Sequence, residues 1–472
     1  MKVLVDGGML SGRFAEQAVY IDRVREILLS RTFSKPKACV TTYGCQQNVS
    51  DSQHIKGMLI AMGYELTDEK SEADFILFNT CAVREHAEDR VWGNVGSIKK
   101  YKEKKRGLIL AVCGCMVQQE KIARRFLASY HYVDILFGTQ VTHRLPEFIY
   151  RKLSGERRIL ELALDNGDIT EGVPVFNDGG FKGFIPIMYG CDNFCSYCIV
   201  PYVRGRERSR ESAAIVKEAE EMVADGVREI MLLGQNVNSY GKGLSEDINF
   251  AKLLRKINDI PGDFRIKFMT SNPKDCTDEL LDCMRDCKKV ERHLHLPFQS
   301  GSDSVLRRMN RKYTLESYLR IIKAARERIP DITFTSDVIV GFPDESEEDF
   351  DKTLELVSTV GFSALFTFIY SKRDGTPAAV MPDGVTRQQK GVRFDRLLKL
   401  QEKCAKKVLE SMIGKTVTVL CEECANGFGF GKDEHQLNVK FATEKDLIGS
   451  FVNVKIEGVE EVLSGVITEK RI

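Results

Sequence analysis

The 472-residue chain has almost no net charge: 69 lysines and arginines face 68 aspartates and glutamates. Binding of a polyanion through the overall field is thereby excluded, and any nucleic-acid surface has to be a local patch. No run approaches the roughly 18 apolar residues of a membrane span. The opening MKVLVDGGML carries Asp6 where a secretory leader would be apolar. The expected location is therefore cytoplasmic, with no membrane partner. In that reducing setting the 14 cysteines do not read as a disulfide framework; they are metal ligands or small buried hydrophobes. Hydrophobic content of 43% and charged content of 29% describe an ordinary globular chain, long enough for about three domains.

Between Lys37 and Val141, four apolar runs of β character (KACVTTYG, ADFILFNTC, GLILAVCGC, YVDILFGT) alternate with helical patterns. This alternation is the signature of a parallel α/β sheet. The first three strands run out at Cys45, Cys81 and Cys115. Ligands of open α/β sheets gather beyond the carboxyl ends of the strands, so these three distant cysteines are expected at one edge. Residues 1–34 form an N-terminal extension in which IDRVREILLS suggests a helix, 35–150 the first α/β domain, and the polar stretch 151–180 a connector.

A second α/β series follows over 181–410, with strands FIPIMYG, REIMLLGQ, FRIKFMTS, ERHLHLPFQ, ITFTSDVIVGF and ALFTFIYS. Six such units predict a partial TIM-like barrel whose chemistry sits on the loops after its strands. Between the first two strands a helix is expected over 212–225, with Ser212 as N-cap and Gly226 as stop. Over 411–472 the texture changes to short β runs between glycine-rich and charged turns, which predicts a small all-β barrel.

The loop after the first barrel strand, GCDNFCSYCIVPYVRGRERSR (190–210), has three cysteines where a closed metal site would have four. The gaps between Cys191, Cys195 and Cys198 place all three thiolates on one short loop, able to hold a single iron–sulfur cube. One iron is then left open for a small ligand. A zinc loop or a chance cluster of buried cysteines is the competing reading; the spacing, the aromatic Tyr197 and the position after the first barrel strand all oppose it.

This CxxxCxxC segment, with Tyr197 before its last cysteine, resembles the radical S-adenosylmethionine enzymes. TYGCQQN (42–48), NTCAVREHAEDRVWGNVG (79–96) and CGCMVQQ (113–119) resemble the methylthiotransferases of that class, and CAVRE points to their tRNA 2-methylthioadenosine synthase branch. The resemblance covers nearly the whole chain from Lys37 onward. It implies a methylthiotransferase N-terminal domain, a radical SAM barrel and a C-terminal β-barrel of the TRAM type. It further implies two 4Fe-4S clusters: one on Cys191, Cys195 and Cys198, whose open iron chelates S-adenosylmethionine, and a second on Cys45, Cys81 and Cys115 that carries the sulfur. Either cysteine of CGC could ligate; the GCM position of the family matches Cys115 rather than Cys113.

The activity so implied is methylthiolation of carbon 2 of an isopentenylated adenosine next to the tRNA anticodon, with S-adenosylmethionine as both methyl donor and radical source. The implied partners are the anticodon stem-loop, a low-potential electron donor such as flavodoxin or ferredoxin, and iron–sulfur assembly proteins. Rival members of the class modify threonylcarbamoyl-adenosine or a ribosomal-protein aspartate. From a different class, a non-catalytic iron–sulfur or RNA-binding protein would have to treat CxxxCxxC as incidental.

Candidate S-adenosylmethionine contacts are the polar strand-end residues Gln235, Asn236, Ser271, Gln299, Ser300 and Asp337, each of which could instead satisfy a backbone group or cap a helix. Arg204, Arg206, Arg208 and Arg210 are expected to meet anticodon-loop phosphates or the S-adenosylmethionine carboxylate, against the reading of a solvated charged loop. KKYKEKKR (99–106) reads as an exposed helix end, with RNA backbone contact as the alternative. His293 and His295 read as core or barrel-lining residues rather than a metal pair. Cys276, Cys283 and Cys287 read as buried hydrophobes, Cys421 and Cys424 as a CxxC lacking the second pair of a zinc site, and GFGFG (427–431) as a hairpin rather than a phosphate loop. From 413 onward seven basic residues face ten acidic ones, so RNA recognition there would need a local basic face or stacking by Phe428, Phe430 or Phe441.

Overall fold

The computed structural model describes residues 2–4, 14–31, 34–82, 85–162, 169–177 and 179–470. Val83 and Arg84 of the CAVRE motif lie outside the described residues. Two compact units emerge. The first comprises the chain through Gly179 together with Tyr189–Asp192 and Ile199–Arg208; the second comprises Gly180–Met188, Asn193–Cys198 and everything from Ser209.

The first unit is built on six parallel strands in the order Glu65–Leu66, Lys37–Thr42, Phe75–Thr80, Ile109–Gly114, Ile135–Phe137, Ile159–Glu161. Phe75–Thr80 and Ile109–Gly114 are buried along their whole length, as central parallel strands must be when helices cover both faces. Ile55, Met58, Leu77 and Phe148 pack on one face, and Ile76, Val91, Leu110 and Phe126 on the other. The helix suggested by IDRVREILLS spans Ala15–Arg31 and buries Ile21, Val24 and Leu28 in the first of these cores. The stretch 151–180, expected as a connector, contributes structure of its own: Ile159–Glu161 extends the sheet and Val175–Asn177 pairs antiparallel with Lys2–Leu4. Its polar composition hid strands of only three residues each. The basic run 99–106 forms a short helix, Lys99–Lys104. It is less free than expected, because Lys102 ion-pairs with Asp134 at 2.6 Å and Lys105 with Asp74 at 2.8 Å.

The second unit opens with six parallel strands in sequence order. Lys182–Pro186, Glu229–Leu233 and Arg265–Phe268 form one sheet, and His293–His295, Thr333–Val340 and Ala364–Ile369 the other, joined by the bridge Ile266–Val290. This is the expected partial barrel. His293 and His295 line it, both buried and both bonded to the Thr335 hydroxyl at 2.8 and 2.9 Å. The helix after the first strand spans Ser212–Ala224, but its N-cap is Glu211. Ser212 is instead the first helical residue, and its hydroxyl donates to Glu246 at 2.6 Å.

The C-terminal strands Thr416–Ala425, Phe428–Lys432, Asn438–Ala442, Phe451–Val459 and Leu463–Lys470 close into a barrel. GFGFG lies in the hairpin between its first two strands. Phe441 is 1% exposed in the barrel core and so offers no stacking face, whereas Phe428 is 38% exposed. Cys421 and Cys424 approach to 3.6 Å, as do the buried Cys283 and Cys287.

Residues of this small barrel plug the amino-terminal ends of the central strands. Arg265 donates to the carbonyls of Thr418, Lys432 and Asp433, Thr333 to that of His435, and the Gln436 amide to Glu291. Glu291 is 3% exposed. Burial raises its carboxyl to about 8 against the pull of Arg265 and Lys267. Because the folded state holds this proton more tightly than the unfolded chain, the group's contribution to stability is complete below about 4.5 and is lost as pH rises to about 8. Glu291→Gln cannot ionise. It should match the wild type in denaturant unfolding near the lower pH and exceed it by about 1 kcal/mol or more at the upper one; a gap that does not change with pH would refute this.

Candidate metal centres

The first unit assembles a cysteine triad from sequence-distant parts. In its sheet the chain leaves Lys37–Thr42 toward one edge and returns across it to Phe75–Thr80, so a crevice opens between these two strands at their carboxyl ends. Cys45 and Cys81 flank that crevice, and Cys115 follows the next strand. Two glycines allow the approach. Gly44 has φ +107, and a Cβ there would stand 2.8 Å from the Cys81 sulfur; Gly114 has φ +98, and a Cβ there would stand 2.3 Å from the Thr80 carbonyl. Both demand a left-handed backbone and no side chain. Cys113 points into the apolar core with Ile55 and Phe137, which leaves Cys115 as the cysteine of CGC at the triad.

Cys81 is 2% and Cys115 5% exposed, while Cys45 is exposed. Burial pushes the Cys115 thiol up to about 11, opposed by Arg204 and assisted by Cys81, Cys45 and Asp51. Arg204 is itself buried. Its Nε donates to the Cys115 sulfur at 3.3 Å, and its Nη2 to Asn48 at 2.7 Å and Asp51 at 2.8 Å. Asn48 is locked in turn, its amide donating to the carbonyls of Tyr43 and Thr80. Three thiols and a cationic N–H donor make a site suited to an anionic, sulfur-rich group.

The loop 190–198 carries the second triad. Cys191 belongs to the first unit, where its N–H donates to the Gly205 carbonyl. In the second unit, the segment around Cys195 and Cys198 is held by the residues that follow helix Asp303–Arg308. Ser196 bonds to the Met309 and Arg308 carbonyls, and the Asn310 amide to that of Phe194. Phe194 and Asn310 both have positive φ, 45° and 57°, strain of the kind that functional loops retain. Arg311 donates to the Cys195 sulfur at 3.4 Å and to the Pro297 carbonyl at 3.0 Å. Tyr197 packs edge-on against Phe342, 6.5 Å between ring centres.

The polar strand-end residues expected as cofactor contacts fall into two groups. Gln235, Asn236 and Ser271 follow the second and third barrel strands and bury side-chain oxygens that have no protein partner. Such atoms call for an ordered water, an ion or a ligand. Gln299, Ser300 and Asp337 are partly committed: Gln299 bridges its backbone to the fifth strand at φ 64°, Ser300 accepts from the Ser302 N–H, and Asp337 stands 3.7 Å from His295.

The four arginines part company. Arg204 and Arg210 are 5% and 8% exposed, Arg210 bonding to the Pro186 carbonyl and to Glu218 at 2.8 Å, so neither is a surface phosphate ligand. Arg208 is half-buried and reaches the Arg204 carbonyl. Arg206 keeps an exposed guanidinium, 3.3 Å from Asp192. The alternating RGRERSR pattern does not reveal which arginines turn inward, since their acceptors lie elsewhere in the chain. Asn48, Asp51 and Arg311 went unrecognised; the QQN after Cys45 was the available signal for Asn48, and Arg311 had none.

A partial (β/α)6 barrel with three cysteines after its first strand defines a radical S-adenosylmethionine protein. The Radical SAM superfamily matches residues 185–357, and the family described as "Uncharacterized protein family UPF0004" matches residues 37–138. A solved radical S-adenosylmethionine methyltransferase from Kitasatospora setae, with cobalamin and a [4Fe-4S] cluster bound, shares the fold at TM-score 0.54 and 15% identity, over 74% of this chain and 77% of its own. The tRNA-2-methylthio-N(6)-dimethylallyladenosine synthase of Caldicellulosiruptor saccharolyticus is 48% identical over 94% of this chain and 95% of its own. That of Alkaliphilus oremlandii is 47% identical over 92% and 93%. The chain belongs to the tRNA-2-methylthio-N(6)-dimethylallyladenosine synthase family.

Thiol reactivity checks the first triad. In the metal-free chain, alkylation followed by peptide mass spectrometry should find Cys45 modified at least about tenfold faster than Cys81 or Cys115, because Cys45 alone of the three is exposed and burial also pushes the Cys115 thiol up. Equal rates at the three positions would contradict the buried geometry.

Proposed function

We propose that this chain converts N6-dimethylallyladenosine of tRNA, next to the anticodon, to its 2-methylthio derivative, with Cys191, Cys195 and Cys198 holding one 4Fe-4S cluster and Cys45, Cys81 and Cys115 another. The observation that carries this reading is the assembly of Cys45, Cys81 and Cys115 at the carboxyl edge of one sheet, in a chain whose barrel separately bears a three-cysteine loop. The carbon 2 hydrogen of adenine is not acidic enough for a general base at neutral pH, so cofactor chemistry is required. When bound, the clusters supply the electron that cleaves S-adenosylmethionine and the sulfur that enters the product.

The protein's part is to bind and orient. Gln235, Asn236 and Ser271 offer their unpartnered oxygens to S-adenosylmethionine, with Gln299, Ser300 and Asp337 on the neighbouring strands. An apolar wall suits the dimethylallyl group: Phe366 and Phe368 alternate on one face of the last barrel strand, 44% and 40% exposed, with the His295 ring edge-on to Phe366 at 5.6 Å. On this reading Arg206, exposed beside Asp192, is the arginine of its loop that would meet RNA phosphate. The remaining partners on this reading are a low-potential donor such as flavodoxin or ferredoxin and the iron–sulfur assembly proteins. No helix among the described residues is long and apolar enough to cross a membrane, and a tRNA substrate implies the cytoplasm.

Replacing Cys45, Cys81 and Cys115 together with Ala should remove about half of the iron. Reductive cleavage of S-adenosylmethionine should survive while the methylthio product disappears. Loss of cleavage with the barrel cluster intact would break this division of labour. Substrate identity is tested with stem-loops: the dimethylallylated one should turn over and the unmodified one should bind but react poorly. Turnover only on threonylcarbamoyl-adenosine or on a ribosomal protein would transfer the chain to a rival branch.

A further inference from the structure

The loop that carries the barrel cysteines also delivers Arg204, six residues past Cys198, into the first unit's cysteine site. A cation 5% exposed has lost most of its hydration, which is unfavourable unless its partners are well placed. Asp51 supplies one full charge and Asn48 a neutral oxygen; the third partner is the Cys115 sulfur, at 3.3 Å from Nε. Burial works against the Arg204 charge, and Asp51, Cys115 and Cys45 outweigh it. A neutral thiol is a weak acceptor, whereas a thiolate or metal-bound sulfur makes a charge-assisted bond. The guanidinium is also aimed with little freedom, since Asn48 is pinned by the Tyr43 and Thr80 carbonyls and Asp51 also accepts from the Gln47 amide.

We infer that Arg204 is a positioning residue of the first triad: its buried guanidinium, bonded to the Cys115 sulfur, sets the reduction potential of the cluster that Cys45, Cys81 and Cys115 hold. This rests on the cluster reading given above. Hydrogen bonds to cluster sulfurs and nearby positive charge stabilise the reduced, more negative state. Arg204 therefore raises the potential, and its removal lowers it. The same fork fixes Cys115 against the strand-end turn at Asn48, so the chain that leaves the barrel cysteines becomes part of the other triad's wall.

The test uses the full-length chain with Cys191, Cys195 and Cys198 replaced by Ala, reconstituted anaerobically with iron and sulfide, so that only the first triad is read. Arg204→Gln should retain iron but show a lower midpoint potential in an EPR-monitored titration. The expected drop changes the reduced fraction at fixed poise at least tenfold, which is about 59 mV for one electron. Arg204→Lys, which keeps the charge without the fork, should recover part of it. A second measurement does not depend on a variant folding: pulsed EPR of the parent chain labelled with 15N-arginine should show a weak nitrogen coupling to the reduced cluster, absent in Arg204→Lys. An unmoved potential in iron-loaded Arg204→Gln, or no arginine coupling in the parent, overturns the assignment alone. A parent chain that binds no iron overturns the cluster reading and the assignment with it.

Discussion

A parallel strand can be followed by another only after the chain has crossed back, usually along a helix, so every strand of such a sheet ends on the same edge and the loops that leave the strands open there. Both units obey this constraint, and the candidate chemistry follows from it. Cys45, Cys81 and Cys115 lie just past three parallel strands of the first unit; Gln235, Asn236 and Ser271 lie just past two of the second. Buried strands supply rigidity, and the loops supply the functional groups. The opposite ends of the central strands are closed instead by Arg265, Glu291 and Thr333 bonding to the C-terminal barrel, which leaves the carboxyl edge as the working face of the central barrel.

Each cysteine triad has an arginine bonded to one of its sulfurs: Arg204 to Cys115 in the first unit, Arg311 to Cys195 in the second. Both guanidiniums are also tied to oxygens of their own unit, Arg204 to Asn48 and Asp51 and Arg311 to the Pro297 carbonyl. A sulfur-rich anionic group gains from a fixed cation that costs no reorganisation when charge changes. On the cluster reading proposed above, two unrelated stretches of sequence meet one electrostatic requirement, and Arg204, in a loop that looks like an RNA-binding patch, faces inward to do so.

The fold class and the candidate ligand cysteines were legible from the residues alone, because their signals are local. CxxxCxxC confines three sulfurs to one loop, and each cysteine of the first triad is marked by the apolar β run that precedes it. The six-strand count of the barrel and the all-β character of the C-terminal domain followed from hydrophobic patterning in the same way. The GCM position already favoured Cys115 over Cys113; what the register of strand Ile109–Gly114 adds is the physical reason, with the Cys113 sulfur turned into the core and Cys115 beyond the strand end. The three-residue strands within 151–180 carried too short a pattern to register.

What only the tertiary structure decided is the destination of each charge. Arg204 and Arg206 look alike in RGRERSR, yet one is buried against Asn48, 156 positions away, and the other is exposed. Burial of a cation depends on where its acceptors fold, and no window of sequence contains both partners. Residue type and spacing determined which atoms are candidates to bind iron and sulfur; long-range packing determined which charges surround them.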